Sequence, residues 1–340
     1  MVNMRKKGLI ASVILTFQLA SLAAQDIHFS QFNRFDPALN PAMTGQFPAD
    51  VRLSGIRRSQ WRSVPVPFVS SAVAFDTRAV HPLTGENNQW GWGFSWQQDE
   101  AGDGRLRLTS LSSNLSLTRP LSSRLQAGIG FQVSAGQRSL QTERLTFESQ
   151  WNGDVFDPDA SNAEPTNASS RGIFSLGSGL QIHYKSENRT NFRAGIGAFH
   201  LNKPRTSFID QPDIRIFTRL TNHLQAEVQL SANTDVCIQS MISQQGKYRE
   251  ILNGLGLRRH LSLEERKAAY VQAGLFIRYG DALIPAVEMR YRNCIAGMSY
   301  DINTSGFRAA TGRRGGPEVF VQWLLFKVHP PAVFKSCPIF

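Results

Sequence analysis

The side chains in this 340-residue chain that could do catalytic or metal chemistry are seven histidines, three cysteines and an acidic stretch, and none forms a working pattern. The histidines are scattered, with no His-Glu-x-x-His pair and no second ligand at helical spacing, so each reads as a lumen or loop residue. Asp154, Asp157, Asp159 and Glu164 could supply oxygen ligands to calcium. Their spacing lacks the alternate ligands, turn glycine and terminal Glu of a calcium loop, and a solvated outer loop is expected instead. Gly177-Ser178-Gly179 is half of a dinucleotide fingerprint, but it lies inside a strand pattern with no helix after it to receive a phosphate. Glycine there reads as relief of crowding or curvature in a sheet wall. No Gly-x-Ser-x-Gly elbow occurs, which leaves a hydrolase without its nucleophile. Cys237, Cys294 and Cys337 are odd in number and widely spaced, so neither a zinc site nor a disulfide framework follows, and at most one bridge can form within the chain. The expectation is a protein that is not an enzyme, with no cofactor and no metal.

Charge is the next candidate for function. Lys and Arg number 37 against 26 Asp and Glu, a formal +11 with a pI near 10. Arg5, Lys6 and Lys7 precede the apolar run Gly8 to Leu22, which closes on Ala23 and Ala24. This is the layout of a secretory signal peptide over 1–24. Its removal would leave 34 basic and 26 acidic residues, or +8. The run is short and no stop-transfer pattern follows, which disfavours a retained anchor, and no Cys stands at the cleavage site to mark a lipoprotein. An exported chain does not meet nucleic acid. Arg52, Arg57, Arg58 and Arg62 gather around the first apolar-alternating segment, and Arg107, Arg193, Arg278 and Arg290 are spread over later ones. They could attract lipid phosphates or an acidic polypeptide, although ordinary lumen and rim charges is the simpler reading.

The elements that must carry these residues are strands. Trp90, Trp92, Phe94 and Trp96 alternate with Gly91, Gly93, Ser95 and Gln97, giving one broad apolar face and one small or polar face. Leu125 to Val133, Phe174 to Tyr184, Leu224 to Leu230, Val271 to Ile277 and Leu283 to Tyr291 repeat the pattern. Less regular runs fall at 51–58, 66–76, 105–118, 190–201, 235–243, 248–257, 293–302 and 318–327. The total is about fourteen strands of roughly the ~10 residues that a tilted membrane strand needs, and the count is even, as in single-chain bacterial barrels. Only Leu261 to Lys267 offers a short helical stretch. No apolar run of about 18 or more residues follows the signal peptide, which excludes a helical membrane protein.

Connection lengths test the barrel independently. The longest links, 141–170, 202–220 and 303–317, all follow odd-numbered strands, as outward loops do when both termini are periplasmic. Links near 77–89 and 258–268 are long for periplasmic turns. A soluble β-sandwich would alternate too. The length of the strands, the Gly, Ser and Gln on their second face, and aromatics near strand ends such as Trp90, Phe199, Tyr279, Tyr291, Tyr300 and Phe326 favour the membrane barrel.

Residues 25–48 break the pattern. Asn40-Pro41 and Gly45 forbid a continuous strand or helix among Phe29, Phe32, Phe35 and Phe47. An irregular aromatic segment needs a surface to bury against, either the lumen as a plug or a docking partner, and the plug is preferred because large barrels otherwise leave an open pore.

The motif order Gln25-Asp26-Ile27-His28-Phe29-Ser30-Gln31-Phe32, Leu39-Asn40-Pro41-Ala42-Met43-Thr44-Gly45, Arg58-Ser59-Gln60-Trp61, Pro67-Phe68 and Phe75-Asp76 resembles the amino-terminal signature of the PorP/SprF family. These are outer-membrane proteins associated with type IX secretion and gliding motility in the Bacteroidetes. The likeness continues through Ala101 to Gly104, Gln137 to Leu140, Leu145 to Phe147, Asp157-Pro158, Gly297 to Asp301 and Cys337 to Phe340. Two departures stand out: Arg57-Arg58-Ser59 replaces the family's frequent Tyr-Arg-Asn, and 202–220 has no matching feature.

The chain is therefore expected to be all-β, with a signal peptide over 1–24 and an irregular periplasmic or plug segment over 25–48. The outer-membrane barrel would occupy 49–327, and a periplasmic tail 328–340. Asp26, Phe29, Ser30, Gln31, Asn40, Pro41, Gly45, Arg58, Gln60 and Trp61 are the candidate partner-binding or plug residues. The resemblance implies a secreted client protein, through its carboxy-terminal targeting domain, and type IX secretion components as partners, in contact with outer-membrane lipid. A porin or transporter passing small solutes is the alternative.

Overall fold

Alternation gives every strand one apolar and one polar face, and a sheet closed on itself satisfies both while leaving no unpaired backbone edge. In a computed structural model the chain does this. The structure describes residues 26–61, 67–80, 88–157, 160, 169–208, 214–264, 267–306 and 308–326. Fourteen antiparallel strands, each paired with its sequence neighbours, close into a barrel through β1 and β14. They are β1 (Val51–Gln60), β2 (Phe68–Val80), β3 (Gln89–Ala101), β4 (Leu106–Pro120), β5 (Leu125–Ser139), β6 (Ser170–Lys185) and β7 (Asn191–Phe199). The second half comprises β8 (Arg219–Ser231), β9 (Thr234–Gln245), β10 (Tyr248–Ser262), β11 (Ala269–Arg278), β12 (Ala282–Tyr291), β13 (Cys294–Asn303) and β14 (Arg314–Leu325).

The strands match the expected segments, with two differences that simplify the topology. β2 runs on to Val80 and β10 to Ser262, so the links thought long for turns shrink to 81–88 and 263–268. The helix expected over Leu261 to Lys267 does not form as read: Leu261 and Ser262 end β10, where ladder bonding overrides a weak helical pattern, and Glu265 and Arg266 lie outside the described residues. The connections 140–169, 200–218 and 304–313, after β5, β7 and β13, mark one end of the barrel, the loop end. Links such as 121–124, 232–233 and 292–293 mark the other, the turn end.

The two faces sort as a membrane barrel requires. Trp92, Phe94, Leu115, Phe131, Leu180, Ile182, Val287 and Trp323 are exposed on the outside. Their neighbours Ser95, Asn114, Ser116, Gln132, Gln181, Glu288 and Gln322 are buried on the inside. The signal peptide, residue 25, Asp159, Glu164 and the tail beyond Phe326, with Cys337, lie outside the described residues. Cys237 and Cys294 are free thiols.

The lipid face yields a first expectation. Leu180 is 58 % exposed on β6. Leu180→Arg should lower unfolding stability in phospholipid vesicles by about 2–4 kcal/mol if it sits near the bilayer midplane, as read from urea titration of tryptophan fluorescence.

Candidate functional site

The barrel has its apolar core on the inside, and residues 26–49 supply eight of the nineteen buried residues in its two clusters. Phe29, Phe35 and Phe47, with Ile27 and Ala49, pack on Ile56 of β1, Ala72 and Ala74 of β2, Ile295 of β13 and Phe320 and Leu324 of β14. Phe32, Leu39 and Met43 pack on the adjoining wall, against Met241 of β9, Leu252 of β10, Phe276 of β11 and Ala282 and Ile284 of β12. The Phe, Leu and Met side chains among these contribute about 1.5–3 kcal/mol each by burial. The segment is irregular, with one helical turn at Asp36–Leu39 and 3-10 turns at Phe32–Arg34 and Pro41–Met43.

Its path is lengthwise. Asp26 accepts from His200 Nε2 at 2.8 Å and from Gln245 Nε2 at 3.1 Å, and pairs with Arg219 at 3.1 Å, all at the loop end. Burial works against its charge, but His200 and Arg219 outweigh burial and hold the pKa below the usual carboxylate range. Asp50 N, at the other extreme, donates to Leu325 O at the turn end. The two described termini, Asp26 and Phe326, thus lie at opposite ends of the barrel. The expected tail 328–340 lies outside the described residues. Turn formers stop the segment from entering the sheet early, and its aromatics draw it through the lumen.

An irregular backbone in a closed wall must find partners for its amides and carbonyls. At the loop end, Ser30 N and Gln31 N both donate to the Glu318 carboxylate at 2.6 Å. Glu318 is 1 % exposed. Ser30 Oγ donates to Asp301 Oδ1 at 2.7 Å, while Asp301 Oδ2 accepts from Arg58 Nη2 at 2.6 Å and Arg278 Nη1 at 2.8 Å. Arg58 Nη1 also donates to His28 O, and Arg278 Nη2 to Ser30 Oγ. Charge-assisted bonds of this kind are about twice as strong as neutral ones.

In the middle, Arg34 pairs with Glu288 at 2.5 Å and Thr221 Oγ1 donates to Leu39 O at 2.5 Å. The Asn40 side chain accepts from Ala42 N, donates to Leu180 O at 2.9 Å and meets His223 at 3.1 Å. Pro41 occupies the first position of its turn and is buried. The turn sits so close to the wall that a Cβ on Gly130 would lie 2.3 Å from Ala42 N, and one on Gly179 would lie 1.9 Å from Asn40 Oδ1. Gly179 is therefore a seat for Asn40, which sharpens the expectation of relieved crowding. Toward the turn end, Arg52 bridges Asp36 at 2.7 Å and Asp76 at 2.8 Å. Asp76 also accepts from Gly45 N at 2.9 Å, where a φ of +72° suits glycine.

Eight of the ten candidate residues thus come together in or against the lumen segment. Gln60 and Trp61 do not touch it in any described contact. They end β1 at the loop end, where Trp61 N bonds Gly315 O at 2.5 Å and its ring stands edge-on to Phe68. Sequence reasoning missed Glu318, Asp301, Asp76 and Glu288 as partners. The available signal was a carboxylate on the polar face of an otherwise small or apolar strand.

Fold and site together define a bacterial outer-membrane β-barrel whose lumen is occupied by its own amino-terminal segment. The family model of the type IX secretion system membrane protein PorP/SprF matches residues 21–316, and the chain belongs to that family. No curated protein matches significantly by sequence. Among solved structures, the Pseudomonas putida toluene transporter TodX aligns at 11 % identity over 85 % of this chain and 93 % of its own, TM-score 0.48. A Pseudomonas aeruginosa FadL homologue aligns at 10 % over 83 % and 91 %, TM-score 0.47. Likeness at this level transfers no cargo.

Two substitutions probe the site. Asp301→Asn should destabilise the barrel by about 3–5 kcal/mol, because Arg58 and Arg278 lose a shared buried partner, as measured by urea unfolding. Gly179→Val should unseat the Asn40 turn and expose 26–49 to limited proteolysis while the heat-modifiable barrel band persists on a gel.

Proposed function

We propose that this barrel is a non-enzymatic component of type IX protein secretion and gliding machinery. It would hold a secreted client by its carboxy-terminal targeting domain, or link the outer membrane to periplasmic machinery. The observation that carries this reading is the lumen itself: a segment bonded to the wall from loop end to turn end occupies the path a solute would take. Cavities beside the segment at the loop end hold only about 50 and 60 Å³. Polypeptide recognition then falls to the ends. The β5–β6 connection offers Trp151 (54 % exposed), Val155 and Phe156, and the β7–β8 connection offers Leu201, Ile214 and Phe217, apolar side chains on loops rather than on the membrane strands. Aromatic anchors of this type dominate protein interfaces.

Purified protein in planar bilayers should show no steady conductance, whereas removal of residues 26–48 should open one. Trp151→Ala with Phe156→Ala should reduce secretion of one co-encoded surface protein with general permeability unchanged. A steady pore in the intact protein, with normal secretion in its absence, would favour a solute channel.

A further inference from the structure

At the turn end, between the segment and the wall, lies a cavity of about 630 Å³. Four cations on its lining are already neutralised: Arg34 by Glu288, Arg52 by Asp36 and Asp76, Arg189 by Asp235, and Arg258 by Glu227. Asp36 and Glu227, the carboxylates on the lining, are both consumed in those pairs. Four further cations, Arg78, Lys185, Arg193 and Arg290, meet no carboxylate within 4.0 Å among the described residues, and Lys185 stands within electrostatic reach of both Arg78 and Arg193.

A second observation points into the same space. Arg193 Nη2 donates to Gln46 O at 3.3 Å and Arg78 Nη1 to Phe47 O at 3.2 Å, which pins both guanidiniums to the segment by one N–H and leaves the others free. Arg193 Nε and Gln225 Nε2 are buried donors without a hydrogen-bond partner, and the Nδ1 of His183, itself 5 % exposed, is an unpartnered ring nitrogen that donates in one tautomer; all three residues line the cavity. Buried donors without acceptors are rare in native proteins. Here they coincide with uncompensated positive charge in a low-dielectric wall, where the field is focused.

We propose that this vestibule binds a multivalent oxyanion, gripped by Arg193 and Arg78 and steered by the exposed Lys185 at its rim. A guanidinium presents a planar fork of N–H donors that matches the oxygens of a phosphate or a carboxylate, and the ligand's charge would neutralise the surplus left after the internal pairs are counted. The site is independent of the secretion reading, because it rests on the turn-end cavity and not on the loops.

Titration calorimetry on the intact, detergent-solubilised protein, with inorganic pyrophosphate and with citrate at an ionic strength fixed by sodium chloride, tests it. The expected result is saturable binding of at least one anion. Arg193→Gln should weaken it tenfold or more, and so should Lys185→Gln, whose rim position makes no described contact with the segment. Arg107→Gln at the loop end should bind as the parent does. Preference for pyrophosphate assigns the group as phosphate, and preference for citrate assigns it as carboxylate. Absence of saturable binding of either anion, or equal affinity in the parent and in both Arg193→Gln and Lys185→Gln, overturns the proposal.

Discussion

Backbone satisfaction is the constraint on which this molecule depends. A β-barrel wall solves the problem for itself by closing, and every strand then has a neighbour on each side. The amino-terminal segment has no such solution, since its turns leave amides and carbonyls without regular partners in a space that is poor in water. The wall supplies them from side chains: Glu318 for the Ser30 and Gln31 amides, Asp76 for the Gly45 amide, Thr221 for the Leu39 carbonyl, Arg58 for the His28 carbonyl. Lumen-facing polar residues are therefore structural members of the fold. A half-satisfied network of this kind would be less stable than an apolar filling.

The same constraint explains why the charge of the interior is locally balanced where the segment is packed against the wall. Arg58 and Arg278 converge on Asp301, and Arg52 sits between Asp36 and Asp76, because each guanidinium must be compensated once the segment excludes water. At the turn end the cavity widens, and beside the compensated Arg189 and Arg258 stand Arg78, Lys185, Arg193 and Arg290, which meet no carboxylate within 4.0 Å among the described residues.

Much of this was legible in the sequence. Alternation gave the strands because the membrane face tolerates only apolar residues and the pleat places every second residue there. Phe29, Phe32, Phe35 and Phe47 marked 25–48 as a segment needing a surface. Asn40-Pro41 and Gly45 marked it as irregular. What alternation cannot convey is direction along the barrel axis. Whether Asp26 sits at the loop end or the turn end depends on His200, Arg219 and Gln245, residues remote in sequence whose pairing with it leaves no local signature. Ion partners such as Arg58 with Asp301, 243 positions apart, are hidden for the same reason. The helix read at Leu261 failed because local propensity over a few residues is weaker than the extension of the β10 ladder to the Ser262–Ala269 pair.

Closure and filling of the barrel are thermodynamically coupled. The seam joins β1 to β14, and these two strands carry Arg52, Arg58, Glu318 and Gln322, each bonded to the segment. Without the segment, Glu318 would be a carboxylate facing Asp301 with its two amide donors gone, and Arg52 would keep one acid of two. Without the seam, the segment would lose the wall that receives Phe29, Phe35 and Phe47. Each half raises the stability of the other through the same few side chains, so a change that loosens the segment also loosens the strand pair that shuts the barrel.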